Sequence, residues 1–254
     1  MTAIELLAVP GIPLIQPGDD LARLVAERLV AAKITLRAGD VLVIAQKIVS
    51  KAEGRFVDLA QVVPSPRAQA VAKEVAKDPL LVEVILSESR RIVRQRRDVL
   101  IVEHRLGFIM ANAGVDQSNV AGAQAGEFAL LLPEDPDASA QHLRTAFMQH
   151  SGYPPGIVIN DSFGRPWRRG AVGMAIGCAG FPALRDLRGA PDLFGRTLRV
   201  TEVALADEVA AAASLLMGQA DEGLPVVLVR GIALPAEEMP AAVLIRSPGE
   251  DLFR

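Results

Sequence analysis

"GIVINDSFGRPWRRGAVGMAIG", Gly156 to Gly177, begins as a β-branched apolar run and delivers Asp161 and Ser162 where that run ends. A short, wholly apolar segment bounded by turn residues reads as a strand buried on both faces. Three other runs share the pattern: "VLVIA" (Val41 to Ala45), "VLIVE" (Val99 to Glu103) and "PVVLV" (Pro225 to Val229). Helix starts lie between them. Leu21, Leu24, Val25 and Leu29 fall on one helical face behind Asp19 and Asp20, while Ser65-Pro66, Asp78-Pro79 and Asp135-Pro136 each pair an N-cap residue with a proline at the first helical position. An alanine-rich helix from about Asp207 to Met217 should end at Gly218. Strands and helices do not alternate regularly, so the expected fold is α+β, with mixed sheets and packed helices in two intimately associated subdomains, rather than a doubly wound sheet.

The chain has 254 residues, 50% of them hydrophobic and 22% charged, which suits a packed core and argues against long disorder. We expect one unit over residues 1–254, with a possible subdomain boundary in the Pro- and Asp-rich stretch at 130–139. A net charge of −3 gives no whole-protein attraction to nucleic acid or an anionic membrane. The basic residues Arg90, Arg91, Arg94, Arg96 and Arg97 are offset by Glu83, Glu88 and Asp98 and read as the solvated face of a helix. The single cysteine, Cys178, excludes an intrachain disulfide and fits a reducing compartment. The N-terminus has no basic region ahead of its apolar residues and is interrupted by Glu5, Pro10 and Pro13, so the expectation is a cytoplasmic protein with no secretory leader.

Three stretches could carry chemistry. Asp161 and Ser162 stand at a strand end, where a carboxylate and a hydroxyl can hold a hard cation. Arg165, Arg168 and Arg169 follow among Gly164 and Gly170, a mixture suited to a polyphosphate, although a glycine turn with solvated arginines has the same composition. In "NAGVDQSNV" (Asn112 to Val120), Asp116 again follows an apolar run, with Ser118 and Asn119 beside it; it fits either an Asx-turn or a second metal-facing acid. In "QKIVSKAEGR" (Gln46 to Arg55), Lys47 and Lys51 are four residues apart, and Lys51 could face phosphate or solvent. No G-x-x-x-x-G-K-[ST] pattern occurs, so any nucleotide cradle is not a Walker A loop. The loops "GIPLI" (Gly11 to Ile15) and "LLMGQADEGLP" (Leu215 to Pro225) have little chemistry of their own, although Asp221 or Glu222 could accept hydrogen bonds from the N–H edge of a guanine.

In order, "GIPLI", "SKAEGR", "NAGVDQSN", "LLLPEDPD", "DSFGRPWRRGAVGMAIG" and "LLMGQADEG" closely resemble the coenzyme F420:L-glutamate ligase family, also called the F420-0 γ-glutamyl ligases, from about Pro10 to Gly231. The resemblance implies GTP-dependent attachment of L-glutamate to the lactyl carboxylate of the deazaflavin precursor F420-0, releasing GDP and phosphate, with divalent magnesium or manganese. It also implies a homodimer. Asp116, Asp161 and Ser162 correspond to metal ligands, and Gln219 stands where relatives can have a glutamate ligand. Ile12, Pro13, Leu14, Ile15, Gln46, Lys51 and Asn119 correspond to GTP contacts, as do Met217, Gly218, Gln219, Ala220, Asp221, Glu222, Gly223 and Leu224. Gln46 replaces a serine found in some relatives. From the basic chemistry of the stretches, Lys51, Arg168 and Arg169 are the candidate catalytic cations. No nitroreductase-like domain, which some relatives carry at the C-terminus, is expected. The competing readings are a nucleotide-dependent carboxylate–amine ligase with another acceptor and a non-catalytic GTP-sensing module.

Overall fold

The computed structural model describes residues 3–117 and 128–251; Ser118 and Asn119 lie outside them. Its centre is a five-stranded sheet in the order β1-β12-β2-β8-β9, comprising β1 (Glu5–Ala8), β12 (Val226–Arg230), β2 (Val41–Ala45), β8 (Gly156–Arg165) and β9 (Arg168–Ala179). Strands β2 and β8 run parallel and the other neighbours antiparallel. The expected mixed α+β architecture is present.

Period-two alternation places the two faces of this sheet in different cores. Leu42, Ile44, Ile157, Ile159, Val226 and Leu228 pack toward α1 (Leu21–Ala31) and α5 (Pro136–Ser151). Val41, Val43, Val158, Val227 and Val229 pack toward α6 (Leu205–Met217). A third core is drawn from residues between Leu59 and Leu131. It lies among α3 (Pro66–Val75), α4 (Pro79–Ser87) and the antiparallel sheet of β4 (Ser89–Arg96), β5 (Val99–His104) and β6 (Ile109–Ala111). Strands β3 (Phe56–Asp58) and β7 (Phe128–Leu130) form a separate pair, and α2 (Gln46–Ala52) follows β2 directly.

The helix starts are capped as their sequences imply. Asp20, Ser65, Asp78 and Asp135 each accept a hydrogen bond from a first-turn backbone N–H. Three readings change. The arginine-rich stretch is β4, not a helix: Arg90 and Arg91 pair with Glu103 on the neighbouring strand, so the cross-strand partner sets the structure there. Strand β5 buries Leu100 and Val102 but leaves Ile101 half-buried, so it is covered on one face rather than two.

The glycine-rich stretch after Ser162 is also not a loop. Strands β8 and β9 form one long hairpin that continues through Gly164 and Gly170 and turns at Pro166-Trp167. A second projection follows between β10 (Arg185–Asp186) and β11 (Glu202–Val203), which pair antiparallel. At its tip Asp192 Oδ1 accepts from the backbone N–H groups of Phe194 and Arg196, 2.9 and 2.8 Å away, and Leu193 and Phe194 are 98% and 95% exposed.

Candidate functional site

Beyond the carboxyl ends of the parallel strands β2 and β8 opens a cleft of about 610 Å³. The chain leaves β2 into α2 but continues from β8 into the hairpin, and this divergence leaves a crevice at the strand ends. Residues 12–15, Gln46, Lys47, Lys51, Gln117, residues 160–162 and residues 217–225 line it. Segments far apart in sequence are therefore gathered in one place.

Spacing on α2 puts Lys47 and Lys51 one turn apart on the same face. Lys47 Nζ lies 2.6 Å from Asp116 Oδ2. Lys51 is 7% exposed; burial and then the nearby Lys47 lower its pKa, with Asp116 opposing them. Gln46 is buried at the base of the helix, with Nε2 donating to Ser50 Oγ at 2.6 Å and to the Leu131 carbonyl at 3.4 Å. Its amide nitrogen thus holds the cleft wall.

Alternation along β8 turns Asp161 to one face and Asn160 and Ser162 to the other. Asp161 Oδ1 accepts from the Ser162 N–H at 2.8 Å, yet burial, assisted by the charge of Asp116, pushes the carboxyl up to about 6 against the opposing pull of Lys47. On the opposite face, Ser162 Oγ donates to Gln219 Oε1 at 2.7 Å. Asn160 is only 6% exposed, and its Nδ2 donates to Ser214 Oγ at 3.2 Å and contacts Met217 Sδ at 3.3 Å.

The loop after α6 is shaped by Glu222. Its carboxylate accepts from the Ala220 N–H at 2.9 Å, and this bond, with further backbone donors of the same loop, lowers its pKa. Gly218 has φ +70°, and a side chain there would strike the Glu222 carboxylate. Glu222 is therefore turned into its own loop. Asp221 is exposed in the same segment.

Arg168 and Arg169 do not line the cleft. They are exposed at the start of β9, near the hairpin tip, four residues along β8 from Asp161 and hence about 13 Å away at ordinary strand rise. Lys47, Gln117 and Asn160 are cleft residues to which the sequence alone assigned no role. Asn160 closes "GIVIN", and the period-two pattern that puts it on the same face as Val158 is the signal that could have marked it.

The donor set suits a hard divalent cation. Asp116 and Asp161 are close enough to influence one another electrostatically, and the Lys47 ammonium on Asp116 shows that this corner attracts positive charge. Oxygen donors are also available from Ser162 and Gln219. Among the described residues no group of three or more acidic, histidine or cysteine side chains that could hold a metal occurs.

The F420-0:gamma-glutamyl ligase family model matches residues 11–231, which includes every wall of the cleft. The chain belongs to this family. The coenzyme F420:L-glutamate ligase of Methanopyrus kandleri is 47% identical over 261 residues, covering 100% of both chains. That of Methanothermobacter thermautotrophicus is 48% identical over 228 residues, covering 90% of this chain and 89% of its own, and that of Methanocaldococcus jannaschii 44% over 223, covering 88% of each. As an F420-0:γ-glutamyl ligase, the chain is an enzyme that adds glutamate to F420-0. Among its described residues, no helix is long and apolar enough to cross a membrane.

Proposed function

We propose that this ligase activates the lactyl carboxylate of F420-0 with GTP and that the reaction takes place at the β2–β8 cleft. The supporting observation is the convergence there of Lys47, Lys51, Asp161, Ser162 and the loop at 217–225. A carboxylate oxygen is a poor leaving group toward an amine at neutral pH. Attack of that oxygen on the γ-phosphorus breaks the bond to GDP and makes an acyl phosphate. The glutamate amine then attacks the acyl carbon, inorganic phosphate departs with the former carboxylate oxygen, and the amine loses a proton as the amide forms.

Lys47 and Lys51 balance the triphosphate charge as it shifts toward the β-phosphate. Residues 12–15 and 217–224 enclose the nucleotide, with Gln46 supporting the wall from beneath and Asn119 contributing from outside the described residues. Asp116, Asp161, Ser162 and Gln219 would hold magnesium or manganese, which supplies Lewis-acid neutralisation of the phosphates when bound. Arg168 and Arg169, beyond the cleft, take the phosphodiester of the acceptor. The substrates are F420-0, L-glutamate and GTP, and the enzyme works as a cytoplasmic homodimer joined through the Leu193-Phe194 projection, because so exposed an apolar pair suits burial against another surface.

Product mass spectrometry with purified protein, F420-0, L-glutamate and either GTP or ATP tests the reading. The expected result is glutamylated F420-0 with stoichiometric GDP and phosphate, and much slower turnover with ATP. Glutamylation without nucleotide cleavage would overturn the acyl-phosphate route, and nucleotide binding without product would favour a sensing module.

A further inference from the structure

Two contacts connect β8 to the end of α6 like successive rungs. Asn160 reaches Met217, and two residues further along each segment Ser162 reaches Gln219. Both rungs stand in the cleft wall, the first buried at its base and the second more exposed. Alternation along the strand puts Asn160 and Ser162 on the same face, so the position of the inner rung constrains the outer one.

The inner rung is built to close tolerance. Ser214 Oγ receives the Asn160 amide and itself donates to the Ala210 carbonyl at 3.0 Å, one turn earlier on α6. Gly173, paired with Ser162 on β9, completes the nook: an added methyl group would meet Ser214 Oγ and lie 2.6 Å from both the Ala210 carbonyl and Asn160 Oδ1. Asn160 Oδ1 is buried and accepts no hydrogen bond from a described residue. It faces the glycine, where only a Cα–H can approach it. The absence of a side chain at Gly173 thus brings β9 directly against α6, and the Asn160 amide connects that junction to the strand bearing Asp161 and Ser162.

Resting on the nucleotide reading of the cleft, we propose that Asn160 is a positioning residue: with its amide held by Ser214 and Met217, it fixes the spacing between the strand-end oxygens and the loop at 218–225, and so sets nucleotide affinity through Ser162 and Gln219. Ser214 is its partner in this role.

Equilibrium binding of a non-hydrolysable GTP analogue with Mn²⁺ is the primary readout, using the full-length protein and the variants Asn160→Ala, Asn160→Asp, Ser214→Ala and Asn160→Ala/Ser214→Ala. Asn160→Ala should weaken the analogue by about 10-fold and Ser214→Ala by a few-fold, through loss of one buried hydrogen bond. The double variant should be no weaker than Asn160→Ala. In steady-state assays KM for GTP should rise, while KM for glutamate stays within about twofold. If Asn160→Ala does not fold, Asn160→Asp and the mild Ser214→Ala carry the same comparison. Unchanged analogue affinity in the folded variants, strictly additive losses, or equal increases in every substrate KM would overturn the proposal. Failure of the wild-type protein to bind the analogue would instead overturn the nucleotide reading of the cleft.

Discussion

Lys47 Nζ lies 2.6 Å from Asp116 Oδ2, so one of the two acids proposed to hold the metal is paired with a protein cation at the edge of the cleft. Asp161, its companion, is destabilised as an anion by burial and by Asp116. Added positive charge should relieve both. Replacing either acid by Asn preserves shape and removes the charge, and metal-supported turnover should fall roughly 100-fold. Titration of turnover with Mn²⁺ and Mg²⁺, with circular dichroism as the folding control, makes the comparison; wild-type metal dependence in both variants would reject the assignment.

Arg168→Lys and Arg169→Lys should raise KM for F420-0 several-fold and leave KM for GTP within about twofold. Lysine keeps the charge but loses the planar fork that pairs with phosphate oxygens. Separate saturation curves for the two substrates decide it. A rise confined to GTP would move these arginines to the triphosphate, and no change in either would remove them from the mechanism.

The two acids of the loop after α6 should behave differently. Glu222→Ala releases the Ala220 N–H that the carboxylate holds at 2.9 Å, so the loop loosens and KM should rise alike for GTP and ATP. Asp221→Ala should instead lower the GTP-to-ATP ratio of kcat/KM by about 5- to 100-fold, the range for loss of a buried recognition bond of ~1–3 kcal/mol. An unchanged ratio in the Asp221 variant would show that another group reads the base.

Glu88 offers a pH test remote from the cleft. It receives Arg105 Nε at 3.0 Å and Arg55 at 3.4 Å, and His104 Nε2 lies 3.5 Å away. The His104 contact, followed by the arginines, outweighs burial and lowers the Glu88 pKa to about 2. A depressed folded-state pKa stabilises the protein above the ordinary carboxylate pKa, and that contribution disappears as pH falls toward 2. Glu88→Gln should therefore cost on the order of 2–3 kcal/mol at pH 7, and the gap to wild type should narrow from about pH 4.5 downward. Urea unfolding at pH 7, 4.5 and 3.5 measures the trend; a gap independent of pH would refute the ion-pair account.

In the proposed homodimer, substituting both Leu193 and Phe194 by Asp should leave a folded monomer, because the pair meets little of its own chain. Light scattering after size exclusion, over a 100-fold protein dilution, is the measurement. A dimer unaltered by the substitutions would place the interface elsewhere.

The central strands were legible because "VLVIA", "GIVIN" and "PVVLV" have side chains suited to burial on both faces, and the helix starts because Asp or Ser caps stand before them. The β8–β9 hairpin was obscured by chemistry: Gly164 and Gly170 suggest a loop, while the turn is made at Pro166-Trp167, with Trp167 at φ +66° where glycine or asparagine is usual. The β4 arginines gave no strand pattern because register shifts between Ser89 and Arg91 and between Ile92 and Arg94 break the period-two alternation that marks a strand. At the site, ordered similarity gathered most of the cleft, whereas the part played by Asn160 became visible only when α6 and β9 were brought beside it.

The parallel pairing of β2 with β8 has a consequence for the order of assembly during synthesis. The β2 strand emerges early from a ribosome but has no central-sheet neighbour until β8, beginning at Gly156, arrives, and its other neighbour, β12, begins only at Val226. The core between Leu59 and Leu131 needs no such delay, since its members come from one continuous stretch. That stretch should acquire protection first, while Leu42 and Ile44 await distant partners; pulse-labelled hydrogen exchange would reveal the sequence of events. The β2–β8 cleft, made from the ends of the late-pairing strands, is then among the last features to form.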